Sequence, residues 1–447
     1  MMLPLKYFTF TFRFLRMVLL TYSFLLITLR SITHYTLHIN SMSQYSFNIK
    51  QIFTLRGYAT ILLVVMLTQF VAWEGYGVSD VKVALMALSP VMLIVAVPYF
   101  TRAVLWGSVY MAAVLLAAYS QEYVRFSTIG YLGMFLLTFM VFYNLVYVKE
   151  VFSLLYFIRF LRTMISSFAI CLILQQLFVL IGVHNLPIIN LANQPFLAID
   201  KLPTLNIEPS HAARVLGFLY LAYLECCQIV EEQPLSLKRI FEPRHRWITI
   251  GFLYTMTTMG SGTAFIVLMV LSLYFIRAKY LWYVIPIFLA IYFILPTLGI
   301  KQFDRATATI NATLTGNPEE VKNADGSAAS RVVPILNTLL YLDLSKKETW
   351  FGYGTRQESG VKRTKNEALI ATIGNIGQYG LISFVVLQIM VFSCIIKQSL
   401  SLSTLLYGCV LGFSLINFAY AWGCAILMLT LSYFKTQKNY RANNHPT

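Results

Sequence analysis

Unbroken apolar runs of about twenty residues, each long enough for a helix to cross the hydrocarbon core of a bilayer, follow one another along this chain. They lie at 52–73, 81–100, 103–119, 126–148, 163–183 and 209–229, then at 280–299, 367–395, 401–416 and 418–434. A bilayer interior offers no water to peptide groups, so a spanning segment must be a helix or part of a closed barrel. Barrel strands alternate apolar and polar residues, and these runs do not. The expected fold class is therefore all-α, a polytopic transmembrane helix bundle. Composition agrees. Residues are 58% hydrophobic and 12% charged, where an average soluble domain carries about 25% charge.

The formal charge of +16 would point to nucleic acid in a soluble protein. Here the cations sit between apolar runs, so they are read as orientation signals and no nucleic-acid partner is expected. The connector 230–246 carries Lys238, Arg239, Arg244 and Arg246 and is placed in the cytoplasm. Glu231, Glu232 and Glu242 count little, because the rule counts cations. Alternation from that anchor puts Lys50, Arg56, Arg102, Lys149, Arg159, Arg162, Arg277, Lys279, Lys397, Lys435, Lys438 and Arg441 on the same side. The stretch 247–276 is too long for one untilted helix, so it is read as two short helices divided at Gly260-Ser261-Gly262, where a single long tilted helix would shift the parity. The count reaches about 12 spans, with both termini of the main bundle cytoplasmic.

Residues 51–447 are expected to form a single transmembrane domain. Its two large outer loops are 184–208 and 300–365, the second between spans 9 and 10. The N-terminal segment 1–50 admits two readings. It is either an extra span, at 8–29 and interrupted by Arg13 and Arg16, or sequence ahead of a start at Met42. The six cysteines lie in or at the ends of apolar runs without metal-ligand spacing, so neither a metal site nor a cofactor is expected.

Two stretches carry candidate chemistry. In Asn206-Ile207-Glu208-Pro209-Ser210-His211-Ala212-Ala213-Arg214, Glu208, His211 and Arg214 fall at helical spacing where a span begins. Pro209 suits the first turn of a helix, where its missing N–H costs nothing. Arg214 then sits about 7 Å below the helix start, shallow enough to snorkel to the interface without a ligand. The alternative is an anion site, since a guanidinium beside a helix N-terminus suits a diphosphate. Glu208 reads either as a proton acceptor or as a carboxylate favoured by the helix dipole. The second stretch runs Ser330-Arg331, Trp350-Phe351-Gly352-Tyr353-Gly354, then Lys362 to Leu369. Gly374, Gly377 and Gly380 follow at spacing three, which suits close helix packing.

The order of these elements resembles the O-antigen polymerase and O-antigen ligase family of bacterial envelope enzymes. A Glu-Pro-Ser motif opens a middle span, and Thr258-Met259-Gly260-Ser261-Gly262 follows a basic cytoplasmic loop. A large outer loop holds Ser330-Arg331 and an aromatic-Gly-x-Gly segment. It ends in an Asn-x-x-Leu helix, Asn366 to Leu369, with Gly377 to Leu381 beyond. Ligases of the group usually carry His-Asn where this chain has Lys365-Asn366, which favours polymerase over ligase.

The resemblance implies a glycosyltransferase in the bacterial cytoplasmic (inner) membrane. Its substrates would be undecaprenyl-diphosphate-linked oligosaccharides, joined into O-antigen, capsule or exopolysaccharide at the outer face. The partners it implies are the lipid bilayer, a chain-length regulator and a flippase. Glu208, His211 and Glu367 become candidates for the catalytic base. Arg214 and Arg331 become candidates for the diphosphate, with Arg356, Arg363, Lys365 and Asn366 beside them. An O-antigen ligase is the first alternative, and a lipid-linked oligosaccharide transporter or flippase is the alternative from another class. A transporter usually places its charges deep in the bundle, whereas these gather at one rim.

Overall fold

The computed structural model describes residues 54–68, 80–121, 124–182, 201–276, 343–352, 354, 374–398, 401–412 and 418–444, with a few isolated positions between 308 and 323. The regular secondary structure among the described residues is all helical, with no strand. In chain order the helices are α1 Leu55–Leu67, α2 Asp80–Ala87, α3 Arg102–Ser120, α4 Phe126–Tyr147, α5 Leu154–Leu180 and α6 Pro209–Glu231. After these come α7 Arg246–Thr258, α8 Gly262–Ser272, the short α9 Lys347–Phe351, α10 Gly374–Cys394, α11 Leu402–Val410 and α12 Ala419–Asn444.

Local chemistry sets the helix ends. Thr54, Ser153 and Ser401 each accept an amide hydrogen from the first turn, of Gly57, Tyr156 and Thr404 respectively, which satisfies donors the helix leaves open. Helix α5 begins at Leu154, nine residues before the apolar run expected at 163–183, because Arg159 and Arg162 are carried on its first turns. The run 81–100 is not one helix. After α2 it continues through Ser89–Val91 into a π-turn at Met92–Ala96 and then leaves helical geometry. The carbonyls freed there are taken up by Asn144 of α4, fully buried. Its amide donates to Val97 O at 3.0 Å and Tyr99 O at 2.9 Å, while Thr101 donates to Asn144 Oδ1 at 2.7 Å. The division of 247–276 falls at Gly260 and Ser261, between α7 and α8. The span expected at 280–299 and the N-terminal segment lie outside the described residues.

Side-chain contacts fix which way each helix runs. Arg214 meets Tyr420 near the starts of α6 and α12, and Glu225 meets Lys435 further along both, so the two helices are parallel. Gly217 lies against Val267, and Tyr274 reaches Gln228, so α8 also runs with α6. Gly423 of α12 packs on Met66 and Leu67 at the end of α1, so these two are antiparallel. Thr60 of α1 meets Tyr156 of α5, and Gln176 of α5 meets Thr258 of α7, so these three run together. The up-and-down alternation expected from the cations holds across these pairs. Arg56, Arg102, Arg162, Arg239, Arg244, Lys397 and Lys435 gather at one end, called here the basic end. The start of α6 lies at the other, which carries Lys82, Arg125, Lys201, Arg214, Lys346 and Lys347 among its described residues.

Five of these segments, α3, α4, α5, α6 and Ile376–Cys394 of α10, are long and apolar enough to cross a membrane. Their outward faces support that reading. Leu105, Val109 and Leu116 on α3, Ile173, Leu177 and Leu180 on α5, and Val385, Ile389 and Phe392 on α10 are exposed. The sets on α5 and α10 follow the i, i+4, i+7 spacing of one helical stripe, and the set on α3 follows the related i, i+4, i+11. Helix α6 is the opposite case, with 83% of its spanning window buried against 33% for α3. It is the central helix, and its head is where the candidate residues lie.

Candidate functional site at the head of the central helix

Glu208 caps α6 in extended geometry (φ −128°, ψ 145°) and Pro209 occupies the first turn, as the sequence suggests. The Glu208 side chain is half exposed, and that of His211 retains 14% of its surface. Ser210 donates to Glu208 Oε2 at 3.2 Å. His211 Nε2 stands 3.7 Å from the same oxygen, beyond a hydrogen bond. Both groups belong to one turn, and the carboxylate keeps an open side.

The residue that organises this turn lies 206 positions away. Tyr420, at the start of α12, receives a hydrogen bond from Arg214 Nη1 on its hydroxyl, and its ring lies 5.7 Å from the Arg214 guanidinium carbon. The other side of the site is aromatic. His211 stacks on Tyr420 with centroids 4.2 Å apart and a 25° tilt, and Phe418 stands 5.7 Å from His211. Tyr420 therefore orients both the cation and the imidazole beside a helix N-terminus. That combination suits a phosphate oxygen, because guanidinium geometry and helix amides both match an anion.

The loop leading into Glu208 is held from the side. Buried Gln175 of α5 clamps Thr204, accepting its amide at 2.9 Å and donating to its carbonyl at 2.8 Å. Thr204 adopts a left-handed backbone, φ 56°, which a threonine sustains only when both its peptide groups are engaged. Asn206 follows, buried, with its amide 3.5 Å from Leu67 O at the end of α1. Lys82 of α2 donates to the next carbonyl, Thr68 O, at 3.2 Å. Lys82 is one of several cations at this end, and nothing in the apolar run 81–100 signals its contact with Thr68. The same holds for Tyr420 and Phe418. In a chain with 28 Tyr and 33 Phe, one aromatic residue gives no signal.

The second stretch is partly described. Gly352 (φ 82°) and Gly380 (φ 79°) face each other's backbones. A Cβ on Gly352 would stand 2.5 Å from Gln378 O, and one on Gly380 would strike Trp350 O. Gly380 breaks the helical geometry of α10. Gln121, just past α3, closes the junction by donating to Phe351 O at 2.5 Å and Gln378 O at 2.6 Å. The glycine spacing thus serves close packing, but what approaches Gly380 is the aromatic-Gly segment of the large loop. Arg331, Arg356, Arg363, Lys365, Asn366 and Glu367 lie outside the described residues.

Comparison with protein-family models, with curated proteins and with solved structures finds no match to this chain.

Proposed function

We propose that this chain is a polysaccharide polymerase. It joins undecaprenyl-diphosphate-linked oligosaccharide repeat units into O-antigen, capsule or exopolysaccharide at the outer face of the bacterial cytoplasmic membrane. In this reading the basic end faces the cytoplasm, following the cation rule. The full count of about 12 spans, the outer placement of 300–365 and the cytoplasmic termini belong to the same proposal. So do the expected partners, a flippase that delivers the units and a chain-length regulator.

The observation that carries it is Arg214, held by Tyr420 one turn below the head of the buried central helix, with Glu208 open above it. A hydroxyl of the acceptor sugar attacks the anomeric carbon of the donor glycan and a C–O bond forms. The bond from that carbon to the diphosphate breaks, and undecaprenyl diphosphate leaves with the electron pair. The hydroxyl proton passes to the Glu208 carboxylate. Arg214 is suited to the charge that grows on the leaving diphosphate, stabilisation that removes the need for a metal. The stacked rings of His211, Tyr420 and Phe418 offer an apolar face beside the cation.

The test is deletion of the gene in its native host, complemented by wild type or by Arg214→Ala at equal membrane abundance. The gel readout is cell-surface polysaccharide. Loss of long polymer with a single repeat retained, restored by wild type alone, supports polymerisation through Arg214. Loss of all glycan from the final acceptor with polymer kept on the lipid carrier would identify the ligase instead. Repeat units trapped on the cytoplasmic side would identify the flippase, and an unchanged ladder would end the reading.

A further inference from the structure

At the basic end, α10, α11 and α12 leave a cavity of about 300 Å³ between them. Its lining changes along the bundle axis. Ile396, Met428 and Leu431 form an apolar wall, and Lys397, Lys435 and Thr436 form a polar mouth. Along α12 the step from Met428 to Lys435 is about 10 Å at helical rise, so the mouth lies nearer the end of the bundle than the wall does. An apolar wall under a cationic mouth matches a lipid, with its chain against the wall and its headgroup at the mouth.

The charges at the mouth are unequal. Lys435 is paired with Glu225 at 2.5 Å. Lys397 donates to Thr436 Oγ1 at 3.1 Å and lies 4.9 Å from the Tyr147 ring centroid. Among the described residues no carboxylate forms an ion pair with Lys397 or with neighbouring Arg102. Burial, and then the charge of Arg102, push the Lys397 pKa down. Two cations kept close without an acid are a site short of an anion. Helix α11 adds to this. Ser401, its N-cap, binds the Thr404 amide, and Ser401 and Ser403 both line the cavity, which directs the positive end of that helix toward it.

We infer that this cavity seats the phosphodiester headgroup of an anionic membrane lipid, with the phosphate on Lys397 and an acyl chain along Ile396, Met428 and Leu431. The inference is independent of the polymerase reading, because it needs only a bilayer at this end. Basic pockets between helices at a membrane surface are suited to such headgroups.

The full chain, purified and delipidated in detergent, is titrated with phosphatidylglycerol, phosphatidylcholine or inorganic phosphate, and one retained ligand is followed by native mass spectrometry. Phosphatidylglycerol binds at least about five-fold more tightly than phosphatidylcholine. Lys397→Gln loses about five-fold, the worth of one interfacial cation, and Lys397→Arg keeps wild-type binding. Thr436→Glu, which sets a carboxylate at the exposed mouth, loses the selectivity by a second route. Lys435 is left intact, since removing it would strand Glu225. Equal retention of the two lipids, or wild-type binding by both Lys397→Gln and Thr436→Glu, overturns the site. Inorganic phosphate binding as tightly as the lipid would show a free-anion site and overturn the assignment to a lipid.

Discussion

The Lys435 ammonium and the Glu225 carboxylate meet 2.5 Å apart, with the Glu225 side chain only 10% exposed, on the same two helices that Arg214 and Tyr420 join at their heads. Two polar fastenings at different depths hold α6 and α12 in one register. Apolar packing alone specifies register weakly, because a slid helix still buries hydrocarbon.

Breaking that lower fastening on one side is costly. Lys435→Met leaves a carboxylate among apolar neighbours and should destabilise the protein by about 3 kcal/mol. Adding Glu225→Gln removes the stranded charge and should return most of the loss. Melting temperatures of the purified variants in one detergent check both, and a Lys435→Met protein as stable as wild type would remove the pair from the account.

At the upper fastening, Tyr420→Phe keeps the ring that stacks on His211 and deletes the hydroxyl that orients Arg214. If Arg214 serves the diphosphate, polymer yield should fall about ten-fold, the worth of one hydrogen bond to a charged group, while Arg214→Ala abolishes polymer. Equal yields from Tyr420→Phe and wild type would mean the hydroxyl is not what positions the cation.

Gly380→Ala meets the Trp350 carbonyl and must hold a positive φ. The expected loss is about 1–3 kcal/mol, with release of the aromatic-Gly segment from α10. Limited proteolysis in the 343–354 region reads the release directly, and faster cleavage with unchanged helix content is the expected result.

His245 gives the protein a pH response at the basic end. Tyr223 donates to its Nδ1 at 2.7 Å and its Nε2–H donates to Glu231 at 3.1 Å, a pattern that uses both nitrogens of the neutral ring. Burial lowers the His245 pKa from its usual 6.5, and Glu231 opposes the shift. Below about 6.5 the unfolded chain binds a proton that the folded one resists, so this stability is complete above that pH and is lost as pH falls toward the folded value. The melting temperature should drop more steeply between about pH 7 and pH 5 in wild type than in His245→Gln. Parallel curves would show that the ring does not titrate with folding.

Much of the bundle is legible in the sequence because spanning length and cation placement are properties of contiguous residues. The start of α6 at Pro209 and the break at Gly260 follow from local rules about proline and glycine. What is not legible depends on partners distant in the chain. Arg159 and Arg162 look like a connector, yet they ride on α5. Gln175 is an unremarked polar residue inside an apolar run until Thr204 arrives beside it. The role of Tyr420 is invisible for the same reason, since nothing near it in sequence says that an arginine 206 positions earlier will reach its hydroxyl.

That separation has a consequence for how the protein is made. Arg214 is synthesised two hundred residues ahead of the hydroxyl that will hold it, so α6 enters the membrane with its guanidinium not yet docked on Tyr420. The head of the central helix is completed only when α12 joins it. A nascent chain halted before residue 418 can possess α1 to α11 and still lack an assembled site, so assembly of the site itself reports that synthesis has passed α12.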